Sequence, residues 1–409
     1  MSRLGGSFWR MYAATATSDL ADGIGRTALP LAAATFTRDP LLISGLMTFA
    51  FLPWLLLAIP SGALVDRIDR RYAMAAANAV RAAATATLAA LVLSHAGGVV
   101  ALYVVSFVLG TAETVYDSAV RALLPQVVQK TQLDQANSLI TVEETLGQTF
   151  LGAPVGSALF ALAVAVPFVL NAAGFAIATL LILAVRGAYR PEREGSSSIR
   201  ADIAEGLQWL RGHRLLRGLT LISAATAFAQ TMASSLLVLY VLEVLQLPSG
   251  DYGLVLLAAG AGALLGAATT PLLARRLGRP IVLTGGAVLS AVPVMLMAAT
   301  RNGVLASILF GLSAAGVMAW NVLTMSLRQA LIPHGLFGRV QGAYRTLVWG
   351  AIPLGAVAGG ALATAVGLRS VFVTSGALLL GCAFALGILL RRHAAELVDS
   401  TPDDELVVA

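Results

Sequence analysis

Of the 409 residues, 58% are hydrophobic and 12% charged, against roughly 25% charged in a soluble domain. The shortage of charge runs the whole length, which excludes a soluble domain on a single anchor and leaves an integral membrane protein built of helices. A formal charge of +6 calls for no nucleic-acid partner, because the basic residues collect in the short segments between apolar runs.

Those runs, each near the ~20 residues that cross a bilayer, predict helices over 8–36, 41–64, 72–94, 98–124, 136–163, 165–186, 216–245, 251–274, 280–300, 302–327, 338–365 and 368–391. The expectation is an all-α membrane protein with about twelve transmembrane helices in two six-helix halves. The N-terminal half covers 1–186 and a cytoplasmic linker 187–215. The C-terminal half covers 216–391, and 392–409 form a tail. Asp19 and Asp22 interrupt the first run, so it reads as a span and not as a cleaved signal.

In the first span Tyr12, Thr15, Asp19, Asp22 and Arg26 recur every three or four residues and so form one polar stripe. Asp22 lies about 14 residues in, roughly 21 Å along the helix, near mid-membrane, with Arg26 one turn further. Between the second and third spans "SGALVDRIDRR" concentrates charge. Gly62 is expected to allow close helix approach, and Asp66 to accept hydrogen bonds from a helix N-terminus or from Arg121, beside Arg67, Arg70 and Arg71. Glu113 and Asp117 share a face of the fourth span. Glu143 and Glu144 are adjacent in the fifth, so only one of them lies on a given face. "GAPVGS" places Gly152, Pro154 and Gly156 for a bend and a close packing face.

The linker spaces Ile199, Ile203, Leu207 and Leu210 on one helical face. This predicts a short amphipathic helix, either lying on the cytoplasmic membrane surface or crossing as a solvated linker. The second half has few charges in its spans. Its candidate cavity residues are Gln230, Ser234, Trp320, Asn321, Thr324 and Arg345. A pathway acidic on one wall and apolar, amide and aromatic on the other suits a hydrophobic, cationic compound better than a sugar.

Lys and Arg set the orientation. Of the 27, Arg38, Arg301 and Arg369 fall in odd-numbered loops and Arg26, Arg81 and Arg345 inside spans. The other 21, Arg328 among them, lie at the termini or in even-numbered loops. Both termini are therefore expected on the cytoplasmic side of the cell membrane.

The two halves also repeat. A shift of 208 lays "GALVDRIDRR" over "TPLLARRLGR", with Asp66 against Ala274, and "LGAPVG" echoes "WGAIPLG". Two parallel six-helix repeats are a transporter plan. The pattern Gly62, Asp66, Arg67, Arg70, Arg71 resembles the loop 2–3 signature of the major facilitator superfamily. "SDLADGIGRTALPL", "LPWLLLAIPSGALVDRIDRR" and "LDQANSL" resemble its drug-efflux branch, which contains macrolide and enterobactin exporters. The resemblance spans essentially the whole chain. It implies alternating access, a substrate path between the halves lined by the first and fourth spans, and a latch at Gly62, Asp66, Arg67, Arg70, Arg71 and Arg121 that holds the outward-facing state. "GAPVGS" only partly matches the antiporter pattern Gly-Pro-x-x-Gly-Gly, with the proline displaced and Ser157 in place of the last glycine.

Ionisable groups inside a membrane usually mark an aqueous path or a proton relay. Asp22 and Glu113 lead the proton-coupling candidates, followed by Asp117, Glu143 and Glu144. The competing reading is a set of fixed ion pairs, Asp22 with Arg26 or Glu113 and Asp117 with Arg81. The function expected is a proton-driven exporter of amphipathic small molecules such as drugs or siderophores. Its partners would be a small-molecule substrate and the bilayer, with no nucleic acid and a monomeric state. A lipid or lysophospholipid mover of the same fold is the alternative, and a non-transporting scaffold ranks below it. His95, His213, His334 and His393 are scattered and form no metal-ligand cluster. No nucleotide-binding Gly-x-x-x-x-Gly-Lys-Ser/Thr motif is present. The expectation is therefore no enzyme, metal or cofactor, with the proton gradient as energy source.

The orientation is checked by thiol labelling on a Cys382→Ala background. An impermeant reagent added outside should reach Asn302→Cys and miss Ser197→Cys; the reverse pattern would invert the topology.

Overall fold

A computed structural model describes residues 4–65, 67–187, 189, 199–333 and 336–393. Among these there is no strand. The helices are α1 (Gly6–Phe36), α2 (Pro40–Val65), α3 (Arg70–Leu93), α4 (Val99–Val127), α5 (Leu133–Leu162), α6 (Val166–Leu183), α7 (Ile199–Gly212), α8 (Arg214–Val244), α9 (Tyr252–Leu277), α10 (Arg279–Met297), α11 (Gly303–Leu331), α12 (Phe337–Val366) and α13 (Leu368–Arg392). Eleven helices, α2 to α6 and α8 to α13, are long and apolar enough to cross a membrane. α1 has the length, at 31 residues, but Arg10, Asp19, Asp22 and Arg26 keep it out of that apolar set. With α1 the count is the twelve expected, and the observed ends lie within a few residues of the predicted ones.

The chain forms two compact units. The first is Met1–Gly195 with Val241–Leu257, and the second Ser196–Tyr240 with Ala258–Ala409. Val241–Leu257 is tied into the first unit at α5. There the Ser157 hydroxyl donates to the Gly250 carbonyl at 2.8 Å and accepts the Gly253 N–H at 3.1 Å.

Each unit uses the same set of neighbours. In the first, α3 packs on α4 and α6, and α1 on α5 and α6; in the second, α10 packs on α11 and α13, and α8 on α12 and α13. Close seams in both units are built on glycine pairs one turn apart. A Cβ at Gly152 would stand 2.6 Å from Gly23 Cα, and one at Gly156 2.7 Å from the Ile24 carbonyl, so α5 runs against the α1 backbone. In the second unit, Cβ atoms at Gly355 and Gly359 would meet the Phe228 and Met232 carbonyls at 2.3 and 2.5 Å. Lipid does not drive helices together by hydrophobicity, so such backbone-to-backbone packing carries much of the association. Along this seam α5 widens into a π-helical stretch, Thr145–Gly152.

Two expectations change. No described atom lies within 4 Å of a Cβ built at Gly62, so that glycine serves no close helix approach here. α7 turns part of its apolar face to protein instead of lipid. Leu210 is buried in a cluster with Leu215, Leu216 and Val340, the Cβ position of Gly206 lies 2.4 Å from the Arg339 carbonyl, and Arg339 pairs with Glu205 at 2.6 Å. The side chains of Ile199 and Ile203 lie outside the described residues.

Gly156→Val and Gly359→Val should each lower the thermal midpoint and the monodisperse yield in size-exclusion chromatography. Overpacking costs about 1–3 kcal/mol where side chains can yield and more where backbone cannot. Gly62→Ala should leave both measurements unchanged.

Candidate functional site

The polar stripe of α1 turns into the first unit, where α3, α4 and α5 supply its partners. Arg81 sits in the middle of α3 and is 1% exposed. Its Nη1 lies 3.1 Å from Asp22 Oδ2 and 3.3 Å from the Ser18 hydroxyl, which in turn donates to Asn78 Oδ1 at 3.1 Å. The guanidinium carbon is 4.9 Å from the Tyr116 ring centroid and 5.3 Å from that of Phe175. A cation held between a carboxylate and two ring faces is compensated from several sides.

One turn along α1, Arg26 pairs with Glu113 of α4, and this pair is far more open, with Arg26 51% and Glu113 22% exposed. On the outer edge of α4, Asp117 pairs with Arg121 at 3.3 Å. The pairing therefore differs from both intramembrane ion pairs expected from spacing. Asp22 does not take Arg26, and Arg81 takes neither Glu113 nor Asp117. Asp22 and Arg26 share a helix face, but the first reaches sideways to α3 and the second to α4. A neighbouring helix offers each a partner of opposite charge, which spacing along one helix cannot reveal.

Asp19 is buried and accepts a hydrogen bond from Gln148 Nε2, on the π-helical stretch, at 3.0 Å. Glu143 is buried against Thr15 and Asp19, whereas its neighbour Glu144 is exposed. Thr15 donates back to the Tyr12 carbonyl at 3.0 Å. Sequence reasoning missed Ser18, Asn78, Tyr116 and Gln148. The available signal was their polarity within apolar runs, and it named no partner.

In the loop after α2, Asp66 lies outside the described residues, and Arg121 is engaged with Asp117. Asp69 is the residue that organises what is described. It is buried, caps α3 through the Arg71 N–H at 2.9 Å, and accepts the Tyr189 N–H at 3.2 Å. Arg71 donates to the Val185 carbonyl at 2.8 Å, and the Arg70 N–H to the Tyr189 carbonyl at 3.3 Å. Arg67 is exposed. An aspartate directly before a helix start was the readable sign of a cap.

In the second unit the proposed cavity residues differ in exposure. Trp320 and Thr324 are core residues, Trp320 within an apolar cluster and Thr324 bonded back to the Trp320 carbonyl at 2.8 Å. Asn321 is exposed on the same helix. Gln230 and Ser234 are half-buried on α8, and Arg345 lies 5.3 Å over the Trp349 ring. Arg328, expected in a cytoplasmic loop, instead sits in the last turn of α11. It is buried, 3.8 Å over the Tyr344 ring.

The family model described as "Transmembrane secretion effector", one of the MFS families, matches residues 7–407. An uncharacterised MFS-type transporter of Mycobacterium tuberculosis is 30% identical over 402 residues, covering 90% of this chain and 88% of that protein. The multidrug efflux pump Tap of Mycolicibacterium fortuitum is 26% identical over 332 residues, covering 79% and 80%. Among solved structures, the nucleoside transporter NupG superposes with a TM-score of 0.78 at 12% identity, over 95% of this chain and 100% of that one. A bacterial homologue of the iron transporter ferroportin gives 0.71 at 17%, over 93% and 98%.

The crossed pairing predicts unequal costs. Arg81→Met leaves Asp22 buried without its cation, and should cost about 3–5 kcal/mol, seen as a collapse of folded yield. Asp22→Asn added to Arg81→Met should recover most of that yield. Arg121→Ala, on the exposed edge, should change the thermal midpoint little, since exposed pairs contribute about 0–1 kcal/mol.

Proposed function

The chain belongs to the transmembrane secretion effector family of the major facilitator superfamily, and on that premise we propose that it is a secondary active exporter exchanging protons for amphipathic small molecules. The observation that carries this reading is the concentration of acids at one level of the first unit. Asp19 and Asp22 on α1, Glu113 on α4 and Glu143 on α5 lie within long, predominantly apolar helices. Charge kept in such helices usually serves ion or substrate movement. The likeness to a multidrug efflux pump supports export of drug-like compounds, and the acidic character of the first unit favours substrates with a positive charge. The protein acts as a monomer in the cell membrane with both termini in the cytoplasm, and takes its energy from the proton gradient without a bound cofactor.

The test is transport of ethidium by proteoliposomes. An imposed pH gradient should drive accumulation of the dye severalfold above protein-free vesicles, a protonophore should abolish it, and ATP should be unnecessary. Translocation of lysophospholipid that ignores the gradient, with no dye movement, would make the chain a lipid mover instead.

A further inference from the structure

The acids of the first unit divide into two kinds. Asp22 is neutralised by Arg81, Glu113 by Arg26 and Asp117 by Arg121. Protonating Asp22 would strand a buried guanidinium, so that pair is a poor place to load and unload a proton. Asp19 and Glu143 have no ion-pair partner among the described residues. Glu143 is 5% exposed, and neither of its carboxylate oxygens has a described partner of good hydrogen-bond geometry. It faces Thr15, whose hydroxyl is turned to the Tyr12 carbonyl, and Asp19. Asp19, 9% exposed, receives one bond from Gln148.

An ionised carboxylate only accepts hydrogen bonds. Two of them facing each other in a buried place, with no cation paired to either, repel, and Glu143 is left without a well-placed donor. One proton held between them removes both faults. We infer that Asp19 and Glu143 share a single proton, and that this is the proton exchanged for a cationic substrate. The inference rests on the proposed antiport.

The groups around the pair agree with it. Tyr12 and Asp22 on α1, Tyr116 on α4 and Glu144 on α5 are the titratable groups that act on it. Among the described residues, Arg26 brings positive charge near Asp19 but is engaged by Glu113, and Arg81 is engaged by Asp22. Once the proton leaves, the pair carries two negative charges with no resident counter-ion, a place suited to an organic cation. The π-helical stretch after Glu144 widens the α5 turn, which lets Glu143 and Gln148, five residues apart, both address Asp19.

Full-length protein in lipid should show, by difference infrared spectroscopy, the carbonyl stretch of a neutral carboxylic acid that disappears on raising the pH. Glu143→Gln and Asp19→Asn should each remove that band, and Glu113→Gln should keep it. Neither of the first two deletes a partner of a cation, so both should fold with a thermal midpoint at or above that of the parent. Binding of tetraphenylphosphonium should release a proton and weaken as the pH falls, and Glu143→Gln should lose that pH dependence while still binding. A band that survives in both variants, or binding in Glu143→Gln that keeps the parent pH dependence, overturns the assignment. If the parent protein fails to accumulate dye on a pH gradient, the antiport reading falls, while the shared proton is still decided by the band.

Discussion

A guanidinium within the membrane-spanning part of a helix bundle has to be answered by the protein, and Arg81 organises the first unit around that requirement. Its partners come from different parts of the chain: Asp22 and Ser18 from α1, Tyr116 from α4 and Phe175 from α6. None of these would tolerate a large shift of α3 without leaving a buried charge uncompensated. The rotation of α1 about its axis is therefore set by charge as well as by packing. That rotation decides where the remaining polar groups of the stripe point, Asp19 toward α5 and Arg26 toward α4.

Packing fixes the same helix from its other side. The glycines of α5 bring its backbone against Gly23 and Ile24, which lie between Asp22 and Arg26 in the chain. Close approach and charge pairing thus act on adjoining faces of one turn of α1. The second unit repeats the glycine seam, with Gly355 and Gly359 on Phe228 and Met232, but not the charges. The two units share a packing plan, and the acid–base pairs of the helix interior lie in the first.

The buried arginine of the second unit, Arg328, illustrates the difference. It has no carboxylate partner among the described residues and rests on the Tyr344 ring. A cation over an aromatic face is a static packing arrangement. The first unit, by contrast, combines fixed pairs with two carboxylates that lack a cation.

Much of this was legible in the amino-acid sequence. Apolar run length determines the twelve long helices, because a bilayer core has a set thickness. "GAPVGS" marked Gly152 and Gly156 for close packing, since close backbone approach demands small residues, but it named neither α1 as their neighbour nor the seam at Gly355 and Gly359. The stripe on α1 followed from helical periodicity, which also put Glu143 and Glu144 on different faces; the structure decided that Glu143 is the buried one. Only the tertiary structure decided the partners. Spacing paired Asp22 with Arg26, whereas packing gave Asp22 to Arg81 and Arg26 to Glu113. It turned α7 onto α12, put Trp320 and Arg328 into the core, and showed Asp69 capping α3 while clasping Tyr189. Periodicity along one helix states which residues share a face, but an ion pair between helices depends on the rotation and height of both, and those emerge only when all the helices pack together.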